Sequence, residues 1–431
     1  MENRFFDADR SHSRPKRVIL RNMLGGIFPY YWGSERATAL KLLAQITSPN
    51  ASVQNQTVNG DNIETMDVAP QAVVASDVSE EEGEGEAEVS QSQLETVRLE
   101  QTNNLTEMTQ NEKKIETANL NYLDAFAGRG KYKNESVQHL EGDVSEFGSP
   151  IIAVEKAVSG LKHYATTAAH KFRRIFGAHQ FAVNFIFNEP NKDNLTCLKG
   201  VVDERFRLHN WNVVGRESDE GVEKVVYQGR VQLKKKGRLI GFARAQMRVN
   251  YTNKEFEKLE LDQIPSPLFS FVDPFGIKSI PMEAMEKIIG NDREVFLNLM
   301  VSVINRNWAK GEGRAKIKEA SAICRLYGCM FPSDFMPLER EEGEEVKLKE
   351  KLDWFAEEYF DKLNLRYRAK EIATVEKWDD GFLHTKFAIK KGESKEDTGL
   401  IYYMDFASVK LNFIHMAKQA MMKVSKISVT L

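Results

Sequence analysis

The stretch NYLDAFAGRGKY, residues 121–132, decides how the chain is read. Its apolar start breaks into glycines after one acidic residue, Asp124. Such a run ends a buried strand in a loop where Gly128 and Gly130 let a ligand approach the backbone, or it is only a turn leaving the core. The flanking residues have to choose between the two.

The flanking pattern alternates. TANLNYLDAF predicts a buried strand, and SPIIAVEKAV predicts a helix start with Ser149 as N-cap and Pro150 at the first helical position. A second helix is expected over 163–177, and FAVNFIFNE (181–189) is rich in aromatic and β-branched residues, which predicts a strand followed by a helix led by PNKDN. Residues 222–252 alternate with a period near two and carry turn signals at Gln228-Gly229 and Lys236-Gly237. They predict hairpins inserted near 205–245, of which the last strand, AQMRVNY, enters the main sheet. LFSFVD (268–273), PMEAMEKIIG (281–290) and EVFLNLM (294–300) resume the strand, helix, strand order. FLHTKFAIKK and GLIYYMDFA are expected to pair antiparallel, before a terminal helix that packs Met416, Met421 and Met422 into the core. The expected fold class is α/β, a Rossmann-like sheet of about seven strands, mostly parallel with an antiparallel C-terminal pair.

Composition sets the frame. The 431 residues carry a net charge of −3, but residues 48–115 hold 14 acidic and 3 basic side chains, so the remainder stands near +8. That acidic segment, which includes SEEEGEGEAE, lacks the apolar content to offset chain entropy and is expected to be disordered. It separates an N-terminal helical part, residues 1–47 with a helix from about Lys16 to Ile46, from the main domain at 116–431. A basic body suits a polyanion such as nucleic acid, although solvated lysines explain it equally well, and the acidic tether is a candidate to mask that body in cis. No apolar run is long enough to predict a membrane span, and the start of the sequence lacks a secretory apolar core, so an intracellular, cytoplasmic or nuclear, protein is expected. Three cysteines, Cys197, Cys324 and Cys329, fit buried thiols better than a zinc site, and no metal is expected.

The chemistry-bearing residues lie at predicted strand ends. A dinucleotide loop would want three glycines and an immediate helix, whereas KYKNESVQHLEGDVSEFG intervenes here, and no G-x-x-x-x-G-K-[ST] stretch is present. A nucleoside ligand without a pyrophosphate fits better: Glu189, ending the second strand, is placed to accept from ribose hydroxyls. Alone, each glycine is a turn residue and Glu189 a solvated strand-end charge; together they point to S-adenosylmethionine. Its candidate contacts are Asp124, Phe126, Gly128, Gly130 and Glu189, with Asn250 and Thr252 near the adenine. The fourth parallel strand ends in Asp273-Pro274-Phe275-Gly276, similar to the [D/N]-P-P-[F/Y] site of amino-methylating nucleic-acid enzymes, with Phe275 in place of the second proline. A plain tight turn is the competing reading. KKKGR (234–238) is placed to touch phosphates or to be a solvated hairpin tip.

In order along the chain, HSRPKRVILRNML, YLDAFAGRG, GSPIIAVEKAV, FIFNE, SFVDPFG with IPMEAMEKII, VFLNLMVSVINR and YYMDFASVKLNFIHMAKQAM resemble the three-Cys-motif partner proteins. The resemblance implies an S-adenosylmethionine-dependent methyltransferase-like fold and a protein partner. Arg129 stands where that family's loop commonly has proline. The expected function is therefore an S-adenosylmethionine-binding methyltransferase acting on a nucleic-acid amine, through Asp273, Pro274 and Phe275. The alternative is a non-catalytic module joining a complex.

Overall fold

The segment RVILRNMLGGIFPYYW places apolar side chains at helical spacing, and in a computed structural model α1 (Ser13–Trp32) buries Ile19, Met23, Ile27, Phe28 and Trp32 along one side. The structure describes residues 13–32, 118–131, 147–167, 181–235, 237–276, 279–300, 324–328, 348–372, 381–390 and 400–428. The acidic segment 48–115, the end of the expected first helix beyond Trp32, most of the expected 163–177 helix, and Cys329 lie outside these residues.

In chain order the further elements are β1 (Asn121–Asp124), α2 (Ser149–Thr167), β2 (Val183–Asn188), α3 (Lys192–Leu208), β3 (Trp211–Asp219), β4 (Val222–Lys235), β5 (Arg238–Thr252), β6 (Leu268–Val272), α4 (Met282–Ile288), β7 (Arg293–Leu299), α5 (Leu348–Ile372), β8 (Leu383–Lys390), β9 (Leu400–Ser408) and α6 (Leu411–Ser428). Two single turns of 3-10 helix, Phe256–Lys258 and Leu261–Gln263, sit between β5 and β6.

These strands form one sheet in the order β3-β4-β5-β2-β1-β6-β7-β9-β8. The expectation of a mostly parallel, seven-stranded Rossmann-like sheet is corrected. The sheet has nine strands, and half of its neighbouring pairs are antiparallel: β3 with β4, β4 with β5, β7 with β9, and β8 with β9. The antiparallel pairs are also the long ones, since β4 and β5 register from Val222↔Thr252 to Lys235↔Arg238, whereas β1 registers over four residues on each side. The end of β5 enters the sheet as expected, and the difference in strand number arises in β3 and β4, which extend the sheet itself instead of forming a separate insertion. Within them Gly229 is not a turn: it lies mid-strand opposite Trp211, whose ring occupies the space a Cβ would need. The turn falls at Glu220-Gly221, both with positive φ, the two-residue geometry that matches strand twist.

Parallel pairing survives at the centre, where β5, β2, β1, β6 and β7 run alongside one another. Central strands covered on both faces read as continuous apolar runs, and all four residues of β1 and all five of β6 are buried. One face carries Tyr122, Phe185, Phe187, Phe269 and Phe296 against α1, α2, α3 and α6. The other carries Leu123, Val272 and Leu297 against α4 and α5. In α6 Met421 is buried and Met416 half-buried, but Met422 is exposed, so the expected methionine packing holds for two of the three.

Candidate functional site

The carboxyl ends of β1, β2 and β6 lie side by side, because Asp124 registers with Phe187 on one side and Phe271 on the other. Loops leaving neighbouring parallel strands at one edge make a mouth, the usual ligand position in an open sheet. The loop after β1 is pinned at both ends: Ala125 N–H donates to Phe271 O at 3.0 Å and Ala127 N–H to Asn188 O at 2.8 Å. Gly128 and Gly130 sit at φ 62° and 76°, where a side chain is strained. At Gly130 an added Cβ would also meet Leu198 Cδ1 at 2.8 Å, and its carbonyl accepts from Gly148 N–H at 3.0 Å. The glycines thus serve both the turn and the packing of α2 and α3 beneath it. α2 starts at Ser149, one residue earlier than expected, with Ile151 and Ile152 N–H donating to Gly148 O.

Glu189 is buried and accepts three hydrogen bonds. Its Oε2 accepts from Gly128 N–H at 2.9 Å, and its Oε1 from Asn191 N–H at 2.9 Å and Asn194 Nδ2 at 3.4 Å. Burial raises its pKa and these bonds lower it, with a net rise. Thr252 and Asn250 belong to two amide networks. Thr252 Oγ1 donates to Asn188 Oδ1 at 2.8 Å, while Asn188 Nδ2 donates to Ala125 O at 3.0 Å. Asn250 Nδ2 donates to Asn184 Oδ1 at 2.6 Å and to Phe185 O at 3.2 Å. Both line a cavity of about 230 Å³ with Asn184, Ile186, Lys254 and Gln263, beside the ends of β2 and β5.

Asp124 differs from every other carboxylate at this edge. It is 0% exposed, and neither oxygen has a hydrogen-bond partner. Desolvation pushes its pKa up to about 7, with the negative charges of Asp273 and Glu189 adding to the rise. The Ser149 hydroxyl and the Phe126 amide oppose that rise without reaching ordinary hydrogen-bond geometry. A buried carboxyl left in this condition costs free energy until a cation or donor reaches it.

Asp273 is partly exposed and already paired. Lys16 Nζ lies 2.7 Å from Oδ2 and 3.0 Å from Oδ1, and Asn298 Nδ2 also donates to Oδ1. Lys16 comes from α1 and sits 5.0 Å from the centroid of the Tyr402 ring. Pro274 is buried, whereas Phe275 is 45% exposed and meets Phe126 edge-on at 6.4 Å, with Phe126 resting against Phe256 at 5.7 Å. The structure therefore brings Asp124, Phe126, Gly128, Gly130, Glu189, Asp273, Pro274 and Phe275 to one edge, whereas Asn250 and Thr252 line a separate cavity that none of these residues lines. Sequence reasoning missed Lys16, Asn188 and Asn298. Asn188 precedes Glu189 in FIFNE and was legible as a strand-end polar residue; nothing local marks Lys16, which arrives from 257 residues away.

Among the described residues no group of three or more His, Cys, Asp or Glu is placed to hold a metal ion. Among them, too, no helix is long and apolar enough to cross a membrane. Compared with protein-family models and with the curated proteins, the chain matches none.

Proposed function

We propose that this sheet edge binds S-adenosylmethionine and that the chain is a methyltransferase whose acceptor is a nucleic-acid amine. One observation carries the proposal: Asp124, wholly buried and with no ordinary hydrogen bond to either oxygen, ends β1 just before a loop of positive-φ glycines. An orphaned carboxylate there fits the ammonium of an amino-acid moiety, which would supply the missing donor. When bound, the cofactor supplies a methyl group already activated on a sulfonium, so the protein's task is alignment. Asp124 and the backbone at Phe126, Gly128 and Gly130 would hold the methionine end. Glu189 keeps the loop in place, and a carboxylate has about four acceptor sites, of which three are used, leaving one for a ribose hydroxyl. The cavity beside Asn250 and Thr252 is where a base would lie. Exposed Phe275 offers a ring for an unpaired base to stack on, with Asp273 and the Pro274 carbonyl beside it as acceptors for an amine. The motif resemblance to three-Cys-motif partner proteins supports the same reading.

Isothermal titration with S-adenosylmethionine tests this, with saturable binding expected. Absence of heat with wild-type protein at millimolar ligand would end it. A second reading is favoured by the Lys16–Asp273 ion pair, which occupies the proposed acceptor carboxylate: the fold is then a non-catalytic module in a complex. A tritiated methyl donor offered to DNA, RNA and protein fractions separates the two, since a module labels none of them.

A further inference from the structure

Residues 224–254 contain nine basic side chains and no acidic one, in a chain of net charge −3. They form the β4–β5 hairpin, whose inner face is closed: Val225, Tyr227, Val231, Leu233, Met247 and Val249 are buried in the core. The outer face is open. Lys224, Arg230, Gln232, Phe242 and Arg244 are exposed along it, and Gln228 and Gln246 pair between them at 3.1 Å. Arg230 and Arg244 are directly opposite each other in the register, an arrangement that destabilises a sheet because like charges face across the strands. Neither forms an ion pair among the described residues; Arg230 instead lies 4.0 Å from the centroid of the exposed Phe242 ring.

We infer that this outer face is a binding platform for single-stranded nucleic acid. Lys224 faces Glu217 of β3 in the register, so the cations left for phosphates are Arg230 and Arg244; the Phe242 ring supplies a surface for a base, and the glutamine pair supplies amide edges. The strand class is set by geometry. The inner face of the hairpin is packed on the core, so the ribbon cannot enter a duplex groove, whereas an open sheet face with an exposed ring admits unpaired bases. Charge complementarity disfavours a basic partner, and within the fold the Arg230 contact with the Phe242 ring offsets part of the cross-strand repulsion. The inference rests on this face alone and stands whether or not the β1 mouth takes a methyl donor.

The test is fluorescence anisotropy of the full chain with a labelled 20-nucleotide single-stranded RNA, the same sequence as DNA, and its duplex. Saturable binding of the single strands is expected, with affinity falling as salt rises. R230Q/R244Q should weaken it at least tenfold and flatten the salt dependence, whereas F242A should weaken it about fivefold or more with the salt dependence kept. Thermal melting should show R230Q/R244Q folded and no less stable than wild type, since the repulsion is removed. Equal or tighter binding of the duplex, or single-strand binding unchanged in both variants, overturns the inference. So does failure of the single strands to bind both the wild type and a variant with Glu80, Glu81, Glu82, Glu84, Glu86 and Glu88 changed to Gln; binding confined to that variant supports the platform.

Discussion

Glu189 accepts the backbone N–H of Gly128 at 2.9 Å across the tips of β2 and β1. This bond makes the acidic strand end a fastener of the glycine loop as well as a candidate ligand contact. Replacing it with glutamine turns one acceptor into a donor that faces backbone N–H groups. Glu189→Gln should therefore lower stability by about 1–3 kcal/mol, the cost of leaving a buried donor unpaired. Binding of S-adenosylmethionine should fall by at least tenfold, read by calorimetry beside a thermal melt. Unchanged affinity with reduced stability would leave Glu189 as a fastener only.

Asp124 makes pH a probe of the same edge. Its pKa in the folded chain is about 7, above the ordinary value of 3.8, so between these values the folded state holds more protons than the unfolded one. Stability then falls as pH rises from about 4 to about 7 and levels off above, at a total cost on the order of 4 kcal/mol. Glu294, pushed by burial to about 7, and Asp405, to about 6, act in the same direction. Asp124→Asn should remove one share of the fall, so that the variant melts higher than wild type at pH 8 and nearly equally at pH 4. It should also lose the methyl donor. A variant less stable than wild type at pH 8 would contradict the unpartnered carboxyl.

The Lys16–Asp273 pair sets a third expectation. If Asp273 accepts from the amine being methylated, Asp273→Ala abolishes transfer while leaving donor affinity nearly intact. Lys16→Met should remove the ion pair, leaving Asp273 with Asn298, and change turnover with little change in donor affinity. Measured by tritium transfer together with calorimetry, equal loss of transfer and donor affinity in Asp273→Ala would assign Asp273 to the cofactor instead.

The parallel centre was legible because its signals are local. NYLD, VNFIFN and LFSFV are short apolar runs bounded by turn residues, and each forms a strand at the place expected. The entry of AQMRVNY into the sheet and the antiparallel pairing of FLHTKFAIKK with GLIYYMDFA came out as expected. The addition of β3 and β4 to the sheet was not legible, because period-two alternation is equally consistent with a free hairpin and with strands added to a sheet edge. The outcome depended on whether Val225, Tyr227 and Val249 found a helix to pack on, and α2 supplied it from earlier in the chain. In the site, Asp124, Glu189 and Asp273 were visible as strand-end acids, but their partners were not. Lys16 and Asn298 reach Asp273 only after α1 and β7 are in place, a long-range arrangement that no spacing in the sequence encodes.

Gly229 shows the same limit from the opposite side. Read as a turn, it is instead a mid-strand residue whose missing side chain admits the Trp211 ring; a Cβ built there would lie 2.1 Å from Cε2. Trp211 is buried and packs at 5.9 Å against Phe206, which in turn stacks on Tyr227 at 3.9 Å, so the ring has no free side to move toward. Gly229→Val favours strand backbone yet should lower stability by about 1–3 kcal/mol, because overpacking outweighs the gain in strand propensity. Chemical denaturation measures this, and the double variant Gly229→Val with Trp211→Ala should not add the two losses, since removing the ring removes the clash. Strict additivity would mean that the tryptophan does not rest on Gly229 and that β3 joins the sheet by some other contact.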